Sequence, residues 1–212
     1  MNNLFLVLIM TTFSHAQACL PDYVVINSDQ IDEKKAVLRA QCEPVVFPLS
    51  EEDRAIVSIL EAKFDQEENC AGLAACQIGF NKQIIVFAVS DDPELQKWRP
   101  DLVETLPKTI WINPRYEAIG DERHSDYEGC FSVHDLAGSV NRSKTIRYEA
   151  YLPSGEKVEG VAKGFLARVI QHEIDHTRGV LFIDYVEPEK LFSIEVYRKM
   201  RSEALEKSLQ ER

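Results

Sequence analysis

Polar and apolar residues alternate along this chain with two different periods, and each period marks an element. Across residues 51–67, Ile56, Ile59, Leu60 and Phe64 recur at the three- and four-residue spacing of one helix face. Ser50 stands where such a helix needs an N-cap, and Asp53 completes an acidic first turn. Residues 71–79 are mostly small, and the run at 83–89 has strand length and is largely apolar. A second short strand is expected at 109–113, stopped by Pro114. Between them, residues 91–107 are charged and broken by Pro93 and Pro100, which predicts a surface excursion. Residues 145–152 alternate in period two. Pro153-Ser154-Gly155 then turns the chain into 156–161, predicting a hairpin. A helix is predicted over 164–177, with Leu166, Val169 and Ile170 on its apolar face and Gly179 at its C-terminal stop. Residues 180–186 read as a last strand and 192–210 as a closing helix of mixed charge. Strands grouped together and followed by helices predict an α+β fold.

The N-terminus follows a different pattern. Leu4 to Met10 is an unbroken apolar run, extended by Thr11, Thr12 and Phe13, and Ala16-Gln17-Ala18 follows it. This is the pattern of a signal peptide over residues 1–18, cleaved after Ala18, which predicts export to a periplasm or the outside. The run is too short to span a bilayer, so no stable membrane insertion is expected. No Lys or Arg precedes Leu4, so the terminal amine alone supplies the positive charge. The alternatives are an apolar arm on a cytoplasmic protein, or a lipid anchor at Cys19, for which Ala16 stands where Leu is usual.

Composition narrows the function. The 212 residues are 45% hydrophobic and 28% charged, which suits one soluble domain, here 19–212. A net charge of -11 argues against non-specific nucleic-acid binding. Five cysteines (Cys19, Cys42, Cys70, Cys76 and Cys130) are an odd count. In an oxidising compartment one thiol is left for other chemistry, and Cys130 is the candidate. Spacing does not decide any pairing among the others, nor the oligomeric state.

The strongest chemical signal is His172-Glu173-Ile174-Asp175-His176. Histidines at i and i+4 share one helix face and can reach one metal ion, with Glu173 beside them as general base. Catalytic metal sites need a third protein ligand. The extended metalloprotease pattern would put a histidine where Phe182 stands. Glu189 and Glu195 are formally available, although helix-face charges of this kind are ordinarily solvated. Cys130, in Tyr127-Glu128-Gly129-Cys130-Phe131-Ser132, offers a thiolate, and Gly129 permits close approach of the backbone.

Three segments, in order, resemble the signature motifs of peptide deformylases: Gly72-Leu73-Ala74-Ala75-Cys76-Gln77, Glu128-Gly129-Cys130-Phe131-Ser132 and Gln171-His172-Glu173-Ile174-Asp175-His176. The resemblance runs from about residue 37 to 186 and includes Ile112-Asn113-Pro114 and Gly179-Val180-Leu181-Phe182. It implies antiparallel β-sheets around a central helix that carries the two histidines. It makes Cys130 the third ligand, beside His172 and His176, to one divalent ion. That ion is natively Fe2+ in bacterial members, with Zn2+ or Ni2+ able to replace it. The implied reaction is metal-assisted hydrolysis that removes the formyl group from N-formylmethionyl peptides as formate. Glu173 would transfer the protons, and the Gln77 amide and Phe131 N–H would donate to the oxyanion. Gly72, Glu128 and Gly129 would contact substrate, and Arg168 and Val169, one turn before His172, would line the pocket for a methionine side chain together with Phe165. Glu128 and Gln171 would support the ligands, and Arg142 would pair with Asp175.

Some positions depart from the family pattern. Cys70 replaces the first glycine of the first motif, Phe131 stands where Leu is usual, and Val133-His134 where many members have Ile-Pro. Ala137 stands where many carry an arginine that contacts the peptide backbone. The metal chemistry is thus expected intact and peptide recognition altered. Two other readings are a zinc metallopeptidase and a non-catalytic descendant that binds metal or formyl peptides. Retention of Glu173 and Gln77 argues against the descendant.

Overall fold

The computed structural model describes residues 20–26 and 36–210. The leader read over residues 1–18 and the polar lead-in at 27–35 lie outside the described residues. In chain order the elements are α1 (Ala36–Arg39), α2 (Glu51–Gln66), β1 (Gly72–Ala74), β2 (Ile84–Val89), α3 (Pro93–Trp98), β3 (Leu106–Ala118), β4 (Arg123–Cys130) and β5 (Val133–Ser143). They continue with β6 (Thr145–Tyr151), β7 (Lys157–Lys163), α4 (Gly164–Thr177), β8 (Phe192–Ser193) and α5 (Ile194–Gln210). Short 3-10 turns at Ala75–Ile78, Phe182–Tyr185 and Pro188–Lys190 join some of them. The strands form a five-stranded sheet, β1-β2-β3-β6-β7, and a three-stranded sheet, β4-β5-β8, with antiparallel pairing throughout both.

Local chemistry accounts for the helices. The Ser50 hydroxyl accepts the Asp53 N–H at 3.0 Å, and the Asp53 carboxylate accepts the Ser50 N–H at 3.3 Å, a reciprocal cap on α2. Gly179 ends α4 at φ +75°, a conformation that would strain any residue with a Cβ. The five-stranded sheet is covered on both faces. Ile85, Phe87 and Val89 of β2 pack in one core with the apolar side of α4. Ile84 and Val86 point the other way, into a second core under Ile56, Leu60 and Phe64 of α2. A strand buried on both faces needs no polar positions, which explains the unbroken apolar run.

Helix α4 is enclosed further still. From Phe165 to Thr177 every residue but His172 is buried, including Arg168, Gln171, Glu173, Asp175 and His176. Polar groups taken out of water must find partners inside, so this helix brings the protein's chemistry into its interior.

The structure corrects three of the expectations. Pro114 does not stop its strand: β3 runs through it for 13 residues. The β3–β6 register shifts between Ile112 and Arg115, and Asn113 has φ +50°, so the missing N–H falls at an irregularity. Residues 180–186 are not a strand. The Asp184 carboxylate accepts the Leu181 N–H at 2.8 Å and closes a 3-10 turn, and the apolar side chains of Leu181 and Phe182 pack in a third core cluster. The closing helix begins at Ile194, after Phe192–Ser193 has paired with β5. The charged excursion contains α3. No helix among the described residues is long and apolar enough to cross a membrane.

Candidate metal centre

One turn of α4 sets the His172 and His176 rings 4.9 Å apart, nearly perpendicular. The hairpin β4–β5 supplies the third group. Its register shifts between Gly129 and Cys130, and the Cys130 Sγ comes to 3.3 Å from His176 Nε2. The three ligand atoms of Cys130, His172 and His176 lie within 4.8 Å of one another. Sulfur with two imidazole nitrogens is the donor set of a transition-metal site. The Gln77 Nε2 and the Ser132 N–H both approach the sulfur, at 3.3 and 3.4 Å, and orient it towards the two histidines.

Behind the ligands stands a buried chain of charges. His172 Nδ1 meets Glu128 Oε2 at 2.8 Å, which leaves Nε2 for a metal. Glu128 also takes both arms of Arg142, each at 3.0 Å, and Arg168 at 2.7 Å. Arg142 continues to Asp175, which accepts hydroxyls from Tyr116 at 3.0 Å and Tyr185 at 2.9 Å. Burial alone would raise the Glu128 pKa, but its bonds to His172 and Arg142 outweigh this and hold it well below the usual carboxylate range. At His172 burial opposes protonation, and the sulfur of Cys130 with the carboxylate of Glu128 overcomes it. The surroundings of this imidazole therefore favour positive charge, as a metal site requires. His176 is held below its ordinary pKa by burial, in the neutral form that coordinates.

Glu173 differs from Glu128. Burial raises its pKa to about 7, and its Oε2 has no hydrogen-bond partner among the described residues. A buried carboxylate near neutrality, beside two histidines that could hold a metal, is equipped to take up and return a proton. Gly72 leaves it room: a Cβ there would lie 2.5 Å from Glu173 Oε1. Gln77 is oriented by its own backbone, since its Oε1 accepts the Ala74 N–H at 2.8 Å and leaves the NH2 facing Cys130.

A cavity of about 450 Å³ opens over these groups. Gly72, Gln77, Glu128, Gly129, Cys130, Phe131, Phe165, Val169, His172 and Glu173 all border it, so the residues expected to bind metal or substrate or to act in catalysis meet in one place, apart from His176, which lies beneath. Glu128 is part of the wall, but its oxygens are held by His172 and the two arginines. Arg168 also touches the wall. Its guanidinium turns inward to Glu128, the Val140 carbonyl at 3.0 Å and the His124 carbonyl at 2.7 Å. Gln171 clasps Ser143, accepting its N–H at 3.1 Å and donating to its carbonyl at 2.9 Å, which fastens α4 to β5. The Arg142–Asp175 pair is fully interior. Ala137 is 0% exposed, opposite Gly129 and Phe192 in the sheet, and does not reach the cavity. His134 is exposed at the rim beside Asp135, at 3.1 Å. Glu189 and Glu195 are exposed and take no part in the ligand cluster. Cys42, Cys70, Cys76 and Cys130 are free thiols. Sequence reasoning missed Ile194 and Arg198, which α5 brings to the cavity edge. No local signal marks them, because they meet the site only through the β5–β8 pairing.

Residues 29–191 match the family described as polypeptide deformylase. A peptide deformylase 2 of Rickettsia conorii is 55% identical over 188 residues, covering 88% of this chain and 93% of the relative. Among solved structures, a class I type b peptide deformylase from Acinetobacter baumannii with Met-Ala-Ser bound aligns with a TM-score of 0.66 at 27% identity, over 79% of this chain and 99% of that one. A peptide deformylase from Ehrlichia chaffeensis aligns with a TM-score of 0.66 at 26% identity, over 91% and 98%.

Proposed function

This chain belongs to the polypeptide deformylase family and removes N-formyl groups from peptides; on that premise we propose that Cys130, His172 and His176 hold its metal and that Glu173 moves the protons. The observation that carries this assignment is the convergence of the three ligand atoms within 4.8 Å, next to a buried carboxylate with a free oxygen. A divalent ion held there supplies Lewis acidity, polarising the formyl carbonyl and lowering the pKa of water. Glu173 accepts the proton of the attacking water and passes it to the leaving amine, and a pKa near neutrality suits both transfers. As negative charge develops on the formyl oxygen, the Gln77 amide and the Phe131 N–H donate to it. The Phe131 N–H donates to no group among the described residues and is available for this. One such donor is typically worth about 3 kcal/mol of barrier. Phe165 and Val169 give the methionine side chain an apolar wall.

The native ion we assign is Fe2+, with Zn2+ and Ni2+ as functional substitutes, since one thiolate and two imidazoles accept each of them. We also propose that the form processed after Ala18 is exported and acts on released formyl peptides. Finding the mature N-terminus at Met1 in native cells would refute that. The central experiment is anaerobic purification with metal analysis, followed by formate release from formyl-Met-Ala-Ser. Wild type should release formate and Glu173→Gln should not. An iron- or nickel-loaded wild type that releases none would defeat the assignment.

A further inference from the structure

The two oxyanion donors stand on segments that the sheets do not join. Gln77 lies in the 3-10 turn after β1, in the five-stranded sheet, and Phe131 in the turn between β4 and β5, in the three-stranded one. A pair of donors stabilises a transition state only if held to within about half an ångström of the required geometry. Phe131 is also 37% exposed, so its own packing holds it weakly.

Residues 20–26 connect both segments. The Val24 N–H donates to the Gln77 carbonyl at 2.8 Å, and the Ile26 N–H donates to the Ser132 carbonyl at 2.9 Å. Ile26 also bridges Val133 in parallel. At the near end of this arm Tyr23 stacks on Phe131, with ring centroids 4.9 Å apart and planes within 8°. Lys63, from α2, places its ammonium 4.4 Å from the centre of the Tyr23 ring, so the stack is fastened to the body of the domain. An aliphatic side chain at position 131 could not form this stack, so Phe131 and Tyr23 are best read as a matched pair.

We propose that Tyr23 is a positioning residue: through its stack on Phe131 and the arm behind it, it sets the Phe131 N–H against the Gln77 amide. This rests on the reading of those two groups as the oxyanion donors. The two hydrogen bonds and the stack hold the segments that carry the donors, which act on charge that develops only in the transition state, so breaking the stack should act on kcat and leave KM.

The test compares metal-loaded wild type, Tyr23→Ala, Tyr23→Phe, Phe131→Leu, the Tyr23→Ala/Phe131→Leu double variant and Gln77→Ala, at matched metal content, on formyl-Met-Ala-Ser. Tyr23→Ala should lower kcat about tenfold, because a donor is displaced rather than deleted, with KM within about twofold. Tyr23→Phe keeps the ring and should match wild type. Phe131→Leu removes the stack from the other side and should lower kcat to the same level, and the double variant should lose no more than either single one. This second route keeps the test valid if Tyr23→Ala does not fold. The proposal is overturned if breaking the stack leaves kcat within twofold while Gln77→Ala loses tenfold or more, or if KM alone rises. If Gln77→Ala is itself neutral, the oxyanion reading fails and this proposal with it.

Discussion

A single methyl group added at Gly72 should disable Glu173 as the proposed general base without touching the three proposed metal ligands. An ideal Cβ on Gly72 lies 2.5 Å from Oε1 and 2.6 Å from both Cδ and Cγ of Glu173. Carbon atoms rest at about 3.5–4.0 Å, so the two groups must separate by about 1 Å. Gly72 cannot yield easily, because β1 is paired to β2 through Phe87. Glu173 is buried on a helix that is buried nearly all round, so its carboxylate must rotate away from its working position. A misplacement of about 1 Å costs on the order of a hundredfold in rate, or about 2.7 kcal/mol of barrier. Gly72→Ala should therefore lower kcat about a hundredfold while metal content stays at the wild-type level. Formate release coupled to formate dehydrogenase gives the rate, and elemental analysis gives the metal. Gly138→Ala is the control: its Cβ would meet Leu191 Cδ2 at 2.9 Å and both methyls of Val186 at 3.0 Å, outside the site, so it should affect stability rather than turnover. A Gly72→Ala enzyme within threefold of wild type would refute the assignment of Glu173's position, and one that has lost its metal would refute the route argued here.

Other consequences can be measured directly. Arg142→Ala removes the guanidinium between two buried carboxylates, leaving Asp175 with two tyrosine hydroxyls and Arg178 at 3.9 Å, and Glu128 with Arg168 and His172; this should cost about 3 kcal/mol in denaturant unfolding and weaken metal retention through His172. Gly179→Val forces a β-branched residue to φ +75° with its Cβ 2.5 Å from the Arg39 carbonyl oxygen, so the urea midpoint should fall by the equivalent of at least about 2 kcal/mol. Cys130→Ala should purify without metal and without activity, whereas a metallopeptidase using another ligand would keep both.

The parts legible in the sequence are those decided by near neighbours. Ser50 and Asp53 announce α2, period two announces the β6–β7 hairpin, and Gly179 marks the end of α4. His172, Glu173 and His176 need only helix spacing, and Cys130 needed the family resemblance. The β4–β5 hairpin was hidden by its own chemistry. Its buried positions include Asp126, Glu128 and Arg142, so alternation puts charge where an apolar residue was sought. Those charges are paired with groups 14 to 44 residues away, a distance no window along the chain can span. Pro114 and Asp184 misled for a related reason: each acts through a bulge or a side-chain bond that only the folded partner strands and turns define.

The enclosure of α4 also bears on how such an enzyme can change. With every position from Phe165 to Thr177 buried except His172, the helix offers scarcely any surface on which a substitution can accumulate unnoticed. New preferences for the peptide must therefore arise at the margin of the cavity, where His134, Asp135 and Arg198 are exposed and answer to few neighbours. A lineage built this way can alter which peptides it accepts by drift at the rim, while the chemistry beneath is inherited almost without revision.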